Sequence, residues 1–146
     1  MSSTAHPDRP YDLVLFGATG FTGKLTAEAI LQQSKGRSKP LQWALAGRSI
    51  EKLKRVRDEL GPSAASLPLL VADAQNATEL EAVVRQARVV CSTVGPYAQY
   101  GEVLVKVCAE AGTDYCDLTG EVHFMRRTID TCAASAATSG ARLVHS

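Results

Sequence analysis

The chain has almost no net charge: 16 Lys and Arg against 15 Asp and Glu leave a formal +1 over 146 residues. Binding to nucleic acid or an anionic membrane surface needs a field of one sign, so neither is expected as a general mode. The one local basic cluster, Lys35, Arg37 and Lys39, reads as a solvated loop between a helix and a strand. No apolar run approaches the roughly 20 residues of a membrane span, and the first residues lack the apolar core of a secretory signal. Cysteine is sparse: Cys91, Cys108, Cys116 and Cys132 are scattered without a CxxC. That spacing argues against a zinc ribbon or a disulfide framework, and for free thiols in a reducing cytoplasm. His6, His123 and His145 form no pair with ligand spacing, so no metal site is expected. Repeats and low-complexity segments are absent.

What is present is a chain of ordinary globular composition, 45% hydrophobic and 21% charged. At this length one domain buries around two thirds of its unfolded surface. Tyr11–Phe16 is an apolar run, followed by Gly17-Ala18-Thr19-Gly20-Phe21-Thr22-Gly23 and a helical pattern from Lys24 to Gln33. Strand, glycine turn and helix in that order are the opening of a dinucleotide-binding βαβ unit. Gly17 permits the tight turn, Gly20 lets the backbone approach a pyrophosphate, and Gly23 lets the helix pack closely on the sheet. The helix N-terminus then offers N–H groups and partial positive charge to the phosphates.

Gln42–Ala46 reads as a second strand, ending in Gly47-Arg48-Ser49. An NAD site carries an acidic residue about 20 positions past the last glycine, for the ribose 2′-OH. Here no carboxylate stands at that strand end, and Arg48, Ser49 and Lys52 are placed for a 2′-phosphate instead. NADP(H) is therefore the expected cofactor. Further strands are predicted over Leu67–Asp73, Arg88–Val94, Thr113–Leu118 and Ala141–Ser146. Between them run helical faces: Leu80, Val83, Val84 and Ala87; Leu104, Val107, Cys108 and Ala111; Ile129, Cys132, Ala133 and Ala136. Asn76 with Glu79 resembles a capping box, and Gly61-Pro62 and Gly112 stand where helices should stop. Six strands alternating with five helices predict an α/β, three-layer, doubly wound Rossmann fold. Its parallel sheet takes the order 3-2-1-4-5-6, with helices on both faces.

In such a sheet the ligand crosses the carboxyl ends of the strands, where the first and fourth strands diverge. Thr19, Gly20, Phe21 and Thr22 are expected at the pyrophosphate, and Asp73 and Ala74 near the adenine. Val94, Gly95, Pro96 and Tyr97 close the fourth strand, toward the nicotinamide ribose. Tyr97, Tyr100, Asp117, Thr119 and Glu121 are the polar groups expected to face the reacting centre, with none assigned a catalytic role. Two other nucleotide sites are excluded. Gly17 and Gly23 enclose five residues and Leu25 follows Lys24, so there is no Walker A loop. No tyrosine has a lysine four positions on, so the short-chain dehydrogenase donor is missing.

Four segments together resemble the saccharopine dehydrogenase-like oxidoreductases, a group that also holds the mycobacterial trans-acting enoyl reductases. They are Leu13–Gly23, Ala46-Gly47-Arg48-Ser49, Val94-Gly95-Pro96-Tyr97 with Tyr100-Gly101-Glu102, and Gly112–Glu121. The resemblance implies an N-terminal NADP(H)-binding domain passing hydride to or from a small molecule held by a larger C-terminal domain. On that reading residues 1–10 are a disordered lead, residues 11–146 are the nucleotide domain, and the chain is a fragment inactive by itself. The alternative is a non-catalytic NADP-sensing regulatory module. A homo-oligomer is compatible with either.

Overall fold

The computed structural model describes residues 8–146. Six strands form one parallel sheet in the order β3-β2-β1-β4-β5-β6. They are β1 Tyr11–Phe16, β2 Trp43–Gly47, β3 Leu69–Val71, β4 Ala87–Ser92, β5 Asp114–Asp117 and β6 Leu143–Val144. The helices are α1 Phe21–Ser34, α2 Ile50–Glu59, α3 Ala77–Val84, α4 Tyr97–Tyr100, α5 Glu102–Ala111 and α6 Val122–Ser139.

Side-chain alternation along β1 divides the core in two. Val14 and Phe16 point to one face, where they meet Leu80 and Val84 of α3, Leu104 and Cys108 of α5, and Phe124 of α6. Leu15 points to the other face, with Ala27 of α1 and Leu53 and Val56 of α2. β2 is buried along its whole length, as a central parallel strand covered on both faces must be. α1 and α2 on one face and α3, α4, α5 and α6 on the other make the three layers that the sequence predicts.

The elements are shorter than the apolar runs suggest where backbone donors leave the ladder. Asp73 lies beyond β3 because its N–H turns to the Glu79 carboxylate, 2.8 Å away. Before β6, the Ala141 and Arg142 N–H groups go to side chains, Ser139 Oγ and Asp114 Oδ1, rather than to the backbone of β5. The capping box is half made. Asn76 Oδ1 accepts from Glu79 N at 3.2 Å, but the Glu79 carboxylate is the one holding Asp73.

The helical face Leu104, Val107, Cys108 and Ala111 falls on α5 as expected, and a short α4, not expected from the sequence, precedes it. One helical reading needs correction. In α6 the buried residues are Phe124, Thr128 and Cys132, four apart. The expected Ile129 and Ala133 are exposed, in a shallow groove with Leu143 and His145. Phe124 is the larger anchor, and its ring against Tyr97, 5.6 Å between centroids, sets the rotation of the helix. Of the lead expected to be disordered, residues 1–7 lie outside the described residues. Arg9 is anchored there, donating to the Ala87 and Ala111 carbonyls, each at 2.6 Å, and to Thr113 Oγ1.

Candidate functional site

The glycine turn links β1 to α1. Gly17 has φ +92°, in the left-handed region where a side chain is strained, and a Cβ there would lie 2.6 Å from Val94 Cγ2. At Gly23 a Cβ would stand 2.1 Å from the Gly17 carbonyl oxygen and 2.8 Å from Ala18 Cα. The first turn of α1 is thus pressed directly on the strand-to-helix turn. Gly20 differs. It is the N-cap, with φ −80°, and a Cβ would meet only the Gly17 oxygen, at 3.6 Å. Gly20 cannot cap with a side chain, and the first helical bond runs from Lys24 N to Gly20 O, 3.0 Å. The N–H groups of Phe21, Thr22 and Gly23 are therefore the helix-end donors that lack an acceptor within α1. A bare N-terminus opening toward solvent is an anion-binding end.

This turn forms one wall of a cleft of about 290 Å³ along the carboxyl ends of β1–β4. From the expected site residues the cleft gathers Gly17, Thr19, Arg48, Asp73, Ala74, Val94 and Gly95. Gly47 and Ala72 also line it, at the ends of β2 and β3, as does Gln75. Phe16, at the end of β1, lines it too, and sequence reasoning missed all four. The same position rule that found Arg48 and Asp73 would have found their neighbours. Arg48 is exposed at the cleft and forms no ion pair among the described residues. Asp73 Oδ1 accepts from Gln75 N at 2.8 Å, so half of its carboxylate is spent on the loop.

Other expected residues sit outside the lining. Phe21 and Thr22 are exposed on the first turn of α1, and Lys52 is exposed on α2. Ser49 caps α2, accepting from Lys52 N at 3.3 Å. Pro96 and Tyr97 begin α4 after a cis Gly95–Pro96 bond.

The polar groups expected to face the reacting centre are mostly built into the frame. Tyr97 is buried and its hydroxyl donates to the Ser92 carbonyl at 3.0 Å, with burial pushing its ionisation up. Asp117 has a fully buried side chain that accepts from Tyr115 Oη and from Thr119 N, and pairs with His145 Nδ1 at 2.8 Å. Thr119 Oγ1 accepts from Glu121 N. The Glu121 carboxylate accepts from Tyr97 N at 2.7 Å and Ala98 N at 2.9 Å. These bonds run stepwise from β5 across to the start of α4 and fix the turn after β4. Tyr100 alone of the five lines the cleft. The misplacement has a simple cause: polar residues at strand ends first satisfy the backbone donors that the ladders leave behind.

A glycine-turn βαβ unit with an open cleft at the switch point defines a Rossmann-type dinucleotide-binding domain. Over residues 13–144 the sequence matches the saccharopine dehydrogenase NADP binding domain, and the chain belongs to that family. NADP(H) is accordingly its cofactor. The cleft and the helix end beside it fit that group: a bare N-terminus of α1, Gly17 and Gly95 in the lining, and at the end of β2 an exposed guanidinium without an ion pair among the described residues. Among curated relatives, a trans-acting enoyl reductase of Mycobacterium tuberculosis is 52% identical over 137 residues. One of Mycobacterium leprae is 54% identical over 140 residues. Each alignment covers 94% of this chain but 32% of the relative, so the chain spans about a third of their length. The fold is also that of apo saccharopine dehydrogenase (L-Glu forming) from Saccharomyces cerevisiae, with TM-score 0.68 at 15% identity. That match covers 91% of this chain and 26% of the yeast chain.

Proposed function

We propose that this chain is the cofactor-binding part of an NADP(H)-dependent oxidoreductase of the enoyl reductase type, with the substrate held by protein beyond these residues. The observation that carries the reading is Arg48, exposed and without an ion pair among the described residues, in one cleft with Gly17 and Thr19 of the glycine turn. In this reading the backbone N–H groups at the start of α1 hold the pyrophosphate. Arg48 meets the 2′-phosphate, with Ser49 and Lys52 beside it on α2. Asp73 and Ala74 border the adenine. Val94, Gly95 and Pro96, with Tyr97 holding the turn beneath them, border the nicotinamide ribose. When bound, the nicotinamide supplies or accepts the hydride. The contribution of these residues is to bind and orient it.

The names of the relatives favour an enoyl thioester or lipid as substrate over an imine. A proton donor is a separate matter. Tyr97, Asp117, Thr119 and Glu121 are committed to structural hydrogen bonds, so within this chain the cleft-lining Tyr100 is the remaining candidate. That commitment also suits the alternative, a nucleotide-sensing module that needs no donor. Calorimetric titration of the folded chain with NADPH and NADH tests the binding claim. Preferential NADPH binding supports it, and no heat up to millimolar NADPH refutes it. A protein of the relatives' full length that contains this chain, assayed for NADPH oxidation with enoyl thioesters, separates enzyme from sensor.

A further inference from the structure

Cys91 and Cys116 stand opposite each other on β4 and β5, paired residue for residue in the parallel ladder. Strands in a sheet lie about 4.8 Å apart, and a disulfide bridges Cα atoms roughly 4.4–6.8 Å apart. Directly paired residues also leave the sheet on one face. Here it is the face of Leu15, the partner of Cys91 on β1. α1 and α2 cover that face over β1–β3. Cys116 stands beside Val144 of β6 in the ladder. Both thiols are free and half-buried there, whereas Cys108 and Cys132 are buried on the opposite face.

The two sulfurs are chemically unequal. A hydrogen bond from Cys91 holds the Cys116 thiol down to about 7, against burial and the Asp117 carboxylate, which push it up. The same bond, with burial, pushes Cys91 far above the ordinary thiol range. One sulfur is ready to attack while the other is kept protonated until it is needed.

We propose that Cys91 and Cys116 form a thiol–disulfide exchange site for low-molecular-weight disulfides, closing as a cross-strand disulfide between β4 and β5. The Cys116 thiolate attacks one sulfur of the small disulfide, breaking its S–S bond and expelling a thiolate. Cys91 then loses its proton and attacks the Cys116 sulfur of the mixed disulfide, expelling the second small thiolate. The protein gives up two electrons and two protons, and the small disulfide becomes two thiols. None of this depends on the nucleotide reading.

Oxidised glutathione is the probe, added to the folded chain and followed by alkylation, mass spectrometry and peptide mapping. The expected product is lighter by two hydrogens and links Cys91 to Cys116, with Cys108 and Cys132 left as thiols. Cys91→Ser should leave a stable glutathione adduct on Cys116, and Cys91→Ala, which removes the hydrogen-bond donor, should move the pH midpoint of Cys116 alkylation upward. Should these variants fail to fold, phenylarsine oxide on the unaltered chain replaces them. One-to-one capture, reversed by a dithiol and releasing water as two As–S bonds form, supports the site. An unaltered chain that stays unreacted, keeps an adduct on Cys116, links other cysteines or fails to capture the arsenical overturns the proposal.

Discussion

Gly20 and Gly23 lie one turn apart in the same loop, and the structure gives an added methyl opposite consequences at the two. At Gly23 the new Cβ would sit 2.1 Å from the Gly17 oxygen, with the Gly17 carbonyl carbon and Ala18 Cα at 2.8 Å. All three are backbone atoms, so no rotamer change relieves the overlap and α1 must move off the sheet. Overpacking of this kind costs about 1–3 kcal/mol, and rigid neighbours place it at the upper end. At Gly20 the Cβ is 3.6 Å from its nearest neighbour and φ is −80°. Alanine is a poorer N-cap than glycine by up to about 1 kcal/mol, and the reduced freedom of the unfolded chain returns about 0.4–1 kcal/mol. Gly20→Ala should therefore leave stability nearly unchanged. Its methyl would stand where a phosphate meets the helix end. Loss of two charge-assisted hydrogen bonds at about 1.5 kcal/mol each corresponds to roughly 100-fold weaker NADPH binding. Urea unfolding followed by circular dichroism, with calorimetric titration on the folded samples, reads both quantities. Undiminished NADPH affinity in folded Gly20→Ala would refute the phosphate cradle. Wild-type stability in Gly23→Ala would refute the close contact.

The parts of this molecule legible in the sequence are those governed by steric exclusion and period. Gly17 and Gly23 are glycines because backbone or side-chain atoms fill the space a Cβ would need. The strand order follows from alternating apolar runs and from the handedness of their crossovers. Illegible were the destinations of polar side chains, which depend on neighbours distant in sequence. Glu121 serves Tyr97 and Ala98, more than twenty positions earlier. Asp117 meets His145 across 28. Nothing local to either carboxylate distinguishes a group facing a ligand from one closing a loop. The face of α6 was misread because small alanines make a weak stripe, and Phe124 and Thr128 outweigh them once the helix meets Tyr97 and His145.

Three further outcomes follow from the same geometry. The chain alone should bind NADPH yet oxidise none when offered saccharopine precursors or enoyl thioesters, and steady oxidation at 340 nm, the NADPH absorbance band, would show a complete active site within it. Glu121→Ala should speed amide exchange at Tyr97 and Ala98, whose N–H groups lose their acceptors at 2.7 and 2.9 Å, while amides of β1 and β2 keep their protection. Uniform acceleration would mean that the carboxylate supports the whole fold rather than the turn after β4. Arg48→Ala should remove cofactor preference. Arg48 lines the cleft and has no ion-pair partner among the described residues, so its loss strands no buried charge among them and should leave stability unaltered. A bidentate guanidinium–phosphate contact at about 1.5–3 kcal/mol corresponds to a preference for NADPH over NADH on the order of 10–100-fold. Exposure lets salt screen that margin, which should shrink steadily with ionic strength. Dissociation constants of both cofactors, for wild type and variant at two salt concentrations, decide the matter. A fall in NADPH affinity alone assigns Arg48 to the 2′-phosphate, and equal falls for the two cofactors assign it to stacking on the adenine they share.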